Sequence, residues 1–129
     1  MTKLFLDDLR DPPDETWLVR RTAPEFIKLL REIGGSGQAG WDGIVLSLDH
    51  DLGACKLCRE VFGEDIAECE HTGTGYDVLK YVEGFYHWAA NQGDFIPDMT
   101  IYVHSQNPVA RKKMTQAIES IYTIIAEHG

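Results

Sequence analysis

All three cysteines of this 129-residue chain fall in one polar stretch: Cys55 and Cys58 form a C-x2-C pair, and Cys69 returns with His71 as C-x-H. Tetrahedral zinc takes thiolates and a neutral imidazole, with one close pair gripping each side of the ion. The C-x2-C half has the ordinary knuckle spacing. The C-x-H half is tighter than usual, so His50, Asp65 or Glu70 could replace His71 as the fourth ligand. Free cysteine prefers burial, and a small domain has no packing reason to gather every cysteine in a polar loop. A redox-active C-x-x-C is the competing chemistry, but such pairs open a helix directly after a strand, whereas Asp51 to Ala54 intervene here. Four protein ligands would close the site and make its role structural, with no position left for catalysis.

The other chemistry-bearing residues stand at the ends of three apolar runs. Gly43 to Gly53 reads GIVLSLDHDLG, so Asp49, His50 and Asp51 end an aliphatic run. KLFL from Lys3 stops at Asp7 and Asp8, and Met99–Val103 runs into His104, Ser105, Gln106 and Asn107. Short leucine-rich and β-branched runs read as strands buried on both faces, and open α/β sheets place their chemistry at the carboxyl ends of such strands. As parallel neighbours, the three would gather Asp7, Asp8, Asp49, His50, Asp51, His104 and Ser105 at one edge. Acidic residues also mark strand ends and turns for structural reasons alone, but that reading has to hold at three tips together.

The elements that position these groups follow in order. Leu9 to Glu15 carries Arg10, Asp11, Pro12 and Pro13, a turn-rich loop where a first helix is predicted to be absent or reduced to a turn. Trp17 to Val19 reads as a short edge strand, because two arginines follow it. Thr22 fits an N-cap, with Glu25 three residues on, Pro24 in the first turn, and Phe26, Leu29, Leu30 and Ile33 on the buried face. Gly34, Gly35, Ser36, Gly37 and Gly40 read as a flexible connection to Trp41; no Gly-Lys-Ser or Gly-Lys-Thr follows to make a phosphate cradle. Thr74 caps a helix of roughly Gly75 to Asn91, whose apolar stripe is Val78, Leu79, Val82, Phe85, Tyr86 and Ala89. Asn107 and Pro108 form a cap and first-turn pair for a last helix that presents Ala110, Met114, Ala117, Ile118, Ile121 and Ile125 on one side. No strand is predicted after it.

At 43% hydrophobic residues the chain has the size and apolar content of a single domain, spanning residues 1–129. Twenty-one acidic against twelve basic residues leave a formal charge of -9, which repels duplex DNA. A small phosphate-bearing substrate remains compatible if a metal or a group of arginines offsets that field. No basic stretch precedes an N-terminal apolar segment, and no long apolar run exists, so a cytoplasmic protein with no membrane segment is expected.

LFLDDLRDPP, followed by W and RT, then SLDHDLG, TGYDVLK and VHSQNPVARKKM, together resemble the cyclic-phosphate processing receiver domains, a phage and bacterial branch of the receiver superfamily. The five ordered blocks cover nearly the whole chain. The resemblance implies a three-layer α/β receiver-like (flavodoxin-like) fold with a short parallel sheet, from which this chain's own pattern departs by a reduced first helix and a missing fifth strand. Family members vary between the HDLG and TGYDV blocks, and the Cys/His-bearing, zinc-binding-like insertion over residues 53–73, beside the site, reads as this chain's own elaboration. In receivers an acidic pair after the first strand and an aspartate after the third hold Mg²⁺, and a Ser or Thr closes the fourth; these positions fall on Asp7, Asp8, Asp49 and Ser105. The chain lacks a fifth-strand switch lysine and adds His50 and Asp51 after the acceptor-like aspartate, so aspartyl-phosphate signalling is not what the resemblance implies.

The branch is proposed to process cyclic nucleotides or the cyclic phosphate ends of RNA, with His50, His104 and Asn107 as the added groups and Arg10 and Arg111 near the phosphate. Three carboxylates suit Mg²⁺ or Mn²⁺, and two histidines could share the acid and base roles. His50 is the candidate base and His104 the candidate acid, an assignment that reverses without contradiction. A metal-dependent hydrolase acting on a cyclic phosphodiester is therefore expected. The alternative is a non-catalytic receiver-like nucleotide-sensing or protein-interaction domain stabilised by zinc, with a protein partner or a homodimer. Asn107 could be a helix cap alone, His104 a satisfied sheet histidine, and Asp51 a turn residue.

Overall fold

A computed structural model describes residues 2–128, apart from the side chains of residues 36 and 37. Strand β1 is Lys3–Leu6 and β2 is Leu18–Arg20, joined by a loop with no helix, as the two prolines and the charged residues between them dictate. Helix α1, Ala23–Gly34, starts where Thr22 Oγ1 accepts from the Glu25 N–H and Pro24 sits in the first turn. Strand β3 is Ile44–Leu48, and a short helix α2, Lys56–Phe62, follows within the cysteine-bearing segment. Helix α3, Gly75–Gln92, opens on a capping box in which Thr74 and Asp77 satisfy each other's backbone N–H. Strand β4, Met99–Val103, leads to α4, Pro108–His128, whose first N–H groups at Val109 and Ala110 donate to Asn107 Oδ1.

The four strands are parallel in the order β2-β1-β3-β4, which puts β1 and β3, the bearers of the acidic tips, at the centre. Both helical crossovers, β2-α1-β3 and β3-α3-β4, step the same way across the sheet. Right-handed connection therefore puts α1 and α3 on one face, and α4 joins them by packing along α3. Leu4, Leu6, Leu46, Leu48, Met99 and Ile101 fill that side together with Phe26, Leu30, Val78, Leu79, Met114 and Ile121. On the opposite face Phe5 and Ser47 stand opposite each other with Tyr102 beside them, and Trp17 from the β1–β2 loop packs edge-on against Phe5 at 6.0 Å. The receiver-like α/β plan holds; with its first helix reduced and no fifth strand among the described residues, the layer on this face thins to a loop.

Two local features differ from the sequence reading. The glycine-rich connection is a 3-10 helix, Ser36–Trp41, folded back on α1. Trp41 is wholly buried, its Nε1–H donates to the Leu30 carbonyl at 2.8 Å, and a Cβ at Gly40 would stand 1.8 Å from the Ile33 carbonyl oxygen. The glycines thus permit close approach. In α4, Ile124 enters the core and Ile125 only flanks it. The outer edge of β4 is also closed: the Ile101 N–H donates to the Tyr122 hydroxyl of α4 at 2.8 Å, and that hydroxyl lies 3.4 Å from the Ile101 carbonyl oxygen.

Gly75 locks the start of α3 onto the tip of β3. Its N–H donates to the His50 carbonyl at 3.1 Å, and a Cβ there would stand 2.1 Å from the Asp49 carbonyl oxygen. Gly75→Ala is accordingly expected to lower stability by about 1–3 kcal/mol through overpacking. Gly84→Ala in the same helix, where a Cβ meets nothing within 4 Å, should raise it by roughly 0.5–1 kcal/mol. Urea unfolding midpoints of the two variants check this, and equal shifts would show that the Gly75 contact does not constrain the helix.

Candidate active site and metal centres

The strand order brings Asp7, Asp8 and Asp49 together, each with a carboxylate oxygen within 4.8 Å of the others. Asp7 is buried and its oxygens are occupied: Oδ1 accepts from the N–H groups of Leu9 and Arg10 at 2.9 and 2.8 Å, and Oδ2 faces His104 Nε2 at 3.0 Å. Burial pushes this carboxyl up, but the Arg10 and Leu9 N–H groups and His104 together hold it below the usual Asp value. Asp8 and Asp49 lie above that value, first because burial disfavours their charge and then because Asp7 lies beside them. Hard oxygen donors packed this closely fit a divalent cation such as Mg²⁺, which would offset their repulsion.

A cavity of about 330 Å³ opens beside these carboxylates, lined by Asp7, Asp8, Arg10, Asp49, Asp51 and Gln106, with Gly53 and Ala67 on one wall. Asp51 reaches this cavity and His50 does not. The His50 ring is buried, its Nδ1 lies 2.8 Å from Asp51 Oδ1, and its Nε2 has no partner among the described residues. A carboxylate only accepts, so Nδ1 donates this hydrogen bond. His104 has both nitrogens engaged, Nε2 on Asp7 and Nδ1 on Ser47 Oγ at 2.8 Å, and its ring stacks on Phe5 at 4.7 Å.

Ser105 is buried and its hydroxyl accepts the Asn107 N–H, while Asn107 caps α4. Arg10 lines the cavity and donates to the His104 carbonyl at 3.2 Å; Arg111 turns back to the Ser105 carbonyl at 3.3 Å. Sequence reasoning assigned no role to Ser47 or Gln106, and counted Arg21 only among the arginines that could offset the acidic field. Ser47 is the polar break in an otherwise aliphatic strand, which was a usable signal. Gln106 stood within the noted run after β4. Arg21 donates to the Asp7 and Arg10 carbonyls at 3.0 and 2.6 Å and so ties the acidic loop down; nothing in its spacing indicated that reach.

Cys55, Cys58, Cys69 and His71 also converge, with all four donor atoms within 4.8 Å of one another. His71 Nδ1 lies 3.5 Å from Cys55 Sγ and 3.3 Å from Cys58 Sγ, so the tight C-x-H pair does close the set, and His50, Asp65 and Glu70 stay outside it. The Cys55 N–H and the Thr72 hydroxyl bring Cys69 down to about 5, while burial, with the neighbouring cysteines, pushes Cys58 up to about 11. Three thiols and an imidazole at these separations can hold a metal such as zinc.

The carboxyl shifts fix a pH dependence. The folded chain holds the Asp8 and Asp49 protons more tightly than the unfolded chain, so their contribution is full below the ordinary Asp value of 3.8 and lost as the pH rises through their raised values. Asp7 runs the other way: its contribution is present above 3.8 and lost as the pH falls through its lowered value. In Mg²⁺-free buffer near neutrality, Asp49→Asn should raise the melting temperature by about 2–5 °C, the scale of roughly 1 kcal/mol in a domain this size. That gain should shrink as the pH is lowered, and Mg²⁺ should stabilise the wild type but not the variant. An equal Mg²⁺ shift in both proteins would remove Asp49 from the cation site.

Among the described residues no helix is long and apolar enough to cross a membrane. Neither the curated proteins nor the solved structures include a match to this chain. The family model described as the cyclic-phosphate processing receiver domain does match, over residues 2–120. That span takes in every strand, α1 to α3 and the whole acidic edge, and the chain accordingly belongs to the cyclic-phosphate processing receiver domain family.

Proposed function

We propose that the chain hydrolyses a cyclic phosphodiester, a cyclic nucleotide or the 2′,3′-cyclic phosphate end of RNA, with Mg²⁺ or Mn²⁺ held by Asp7, Asp8 and Asp49. The observation that carries this reading is one cavity that joins the three carboxylates, the Arg10 guanidinium and Asp51 with His50 behind it. A bound divalent cation would supply Lewis-acid polarisation of the phosphoryl group. Arg10 pairs with a phosphoryl oxygen, the planar, charge-assisted contact for which guanidinium is suited. Asp51 takes a proton from the attacking water as the water oxygen bonds to phosphorus and the ring P–O bond breaks. His50 holds Asp51 by donating from Nδ1, and the leaving oxygen takes its proton from water in the open cavity. His104, with both nitrogens engaged, positions Asp7 in place of the expected proton donation. Ser105, Asn107 and Arg111 shape the turn into α4.

The Cys55, Cys58, Cys69 and His71 set belongs in this proposal as a closed structural Zn²⁺ site, without a vacant position for substrate. A second reading, nucleotide sensing or protein interaction without turnover, draws on Leu57, Val61 and Phe62 of α2, which are all exposed.

Turnover is expected on at least one member of a panel of 2′,3′-cyclic nucleotides, cyclic-phosphate RNA ends, 3′,5′-cyclic nucleotides and cyclic oligonucleotides, followed by phosphorus NMR with Mg²⁺ or Mn²⁺. Asp51→Asn should lower kcat by roughly 10² to 10⁴-fold while leaving Mn²⁺ binding in place, and Arg10→Ala should act mainly on KM. His50→Gln should shift the pH profile with a smaller loss of rate. Binding without turnover across the panel would transfer the reading to a sensor, and neither binding nor turnover would favour an interaction domain.

A further inference from the structure

The segment that carries the cysteines has little apolar surface to hold it. Helix α2 buries only Cys58, leaves Leu57, Val61 and Phe62 exposed, and at seven residues is too short to persist by itself. Yet this segment supplies Ala67, and its first residue Gly53, to the wall of the acidic cavity. The link between the cysteines and that wall is Thr72, which is buried. Its hydroxyl donates to the Gly53 carbonyl at 2.5 Å and lies 3.5 Å from Cys69 Sγ, while its carbonyl accepts the Ala23 N–H at the start of α1 at 2.7 Å. Two residues beyond Gly53, the Cys55 N–H donates to Cys69 Sγ at 3.3 Å, so both ends of the Gly53–Cys55 turn are tied to the cysteine cluster. Gly53 in turn lies against Asp8: it holds a φ of +68°, and a Cβ on it would stand 3.3 Å from Asp8 Oδ2.

We propose that Zn²⁺ bound by Cys55, Cys58, Cys69 and His71 clamps the Gly53–Ala67 wall through Thr72, so that zinc occupancy sets the divalent-cation affinity of the acidic cavity. The inference rests on Asp7, Asp8 and Asp49 forming a cation site and adds a regulator to it. Zinc fixes Cys69 and His71, these fix Thr72, and Thr72 fixes the Gly53 backbone against which the Asp8 carboxylate packs. Without the ion, Gly53 and Asp8 gain freedom that must be given up when a cation binds, and binding weakens. Linkage makes the effect mutual, so a cation in the acidic cavity tightens zinc by the same factor.

The test is Mn²⁺ binding followed by electron paramagnetic resonance on three samples: the zinc-loaded chain, the chain stripped of zinc, and zinc-loaded Thr72→Val. Metal analysis establishes zinc content, and circular dichroism establishes that the fold is retained. The loaded chain should hold one zinc, and stripping should weaken Mn²⁺ binding by about 5 to 150-fold, the usual span of coupling between sites. Thr72→Val should keep its zinc yet bind Mn²⁺ more weakly than the wild type. Equal Mn²⁺ affinity in loaded and stripped chains overturns the coupling, and should the stripped chain unfold, unchanged affinity in Thr72→Val overturns it instead. Absence of zinc from carefully reduced protein overturns the clamp while leaving the acidic site standing. Failure of the zinc-loaded chain to bind Mn²⁺ overturns the acidic-site reading, and the coupling with it.

Discussion

Like charges held close together set the terms for this structure. Parallel pairing of β1 with β3 brings Asp7 and Asp49 to the same edge whatever the rest of the chain does, because each directly follows a paired strand end. The surrounding structure divides the resulting repulsion unevenly. Asp7 receives two backbone N–H groups and His104, and stays ionised; Asp8 and Asp49 receive less and are left wanting either a proton or a cation. The asymmetry has a geometric cause, since the loop after β1 turns back at once and presents the Leu9 and Arg10 N–H groups to one carboxylate only. A lysine on a fifth strand is the usual receiver complement to such a cluster. Here an imidazole from the end of β4 touches Asp7 in its stead, braced by Ser47 and the face of Phe5.

Everything else fixes that edge in position. The apolar side of the sheet is sealed by three helices, and α3 comes so near to β3 that the Asp49 carbonyl rests against a glycine. On the other side the connection from β1 to β2 is a loop, held by the Arg21 guanidinium reaching two of its carbonyls. The site is therefore held beneath, along the strands and at the loop carrying Arg10, and the part with the least apolar packing behind it is the cysteine-bearing segment carrying Ala67.

Features governed by local rules were legible in the sequence. The Thr22 cap, the Thr74 cap with its glycine and apolar stripe and the Cys/His pairing follow from nearest-neighbour chemistry and stand where their spacing implied, while the short edge strand forms one residue later than its pattern suggested, at Leu18–Arg20. What escaped depends on registers between distant strands. That Ser47 faces His104, and that both His104 nitrogens are engaged, follows from aligning β1, β3 and β4, which no single-segment pattern encodes. Helix α2 escaped for a different reason: it buries one cysteine, so it carries no periodic signal. The glycine run suggested freedom, whereas the buried Trp41 indole draws it into a tight turn, a case of tertiary packing overriding local permissiveness.

The closure of the β4 edge has a consequence for how copies of this chain can meet. A parallel sheet whose last strand among the described residues is β4 presents unpaired backbone groups at that margin, and such a margin can recruit strands from neighbouring molecules. Tyr122 occupies that margin at its midpoint, offering Ile101 the oxygen and the proton that a further strand would have offered. A phenol in that place can satisfy one residue but cannot propagate a ladder. Self-association of this chain therefore cannot extend the sheet along β4 without displacing Tyr122.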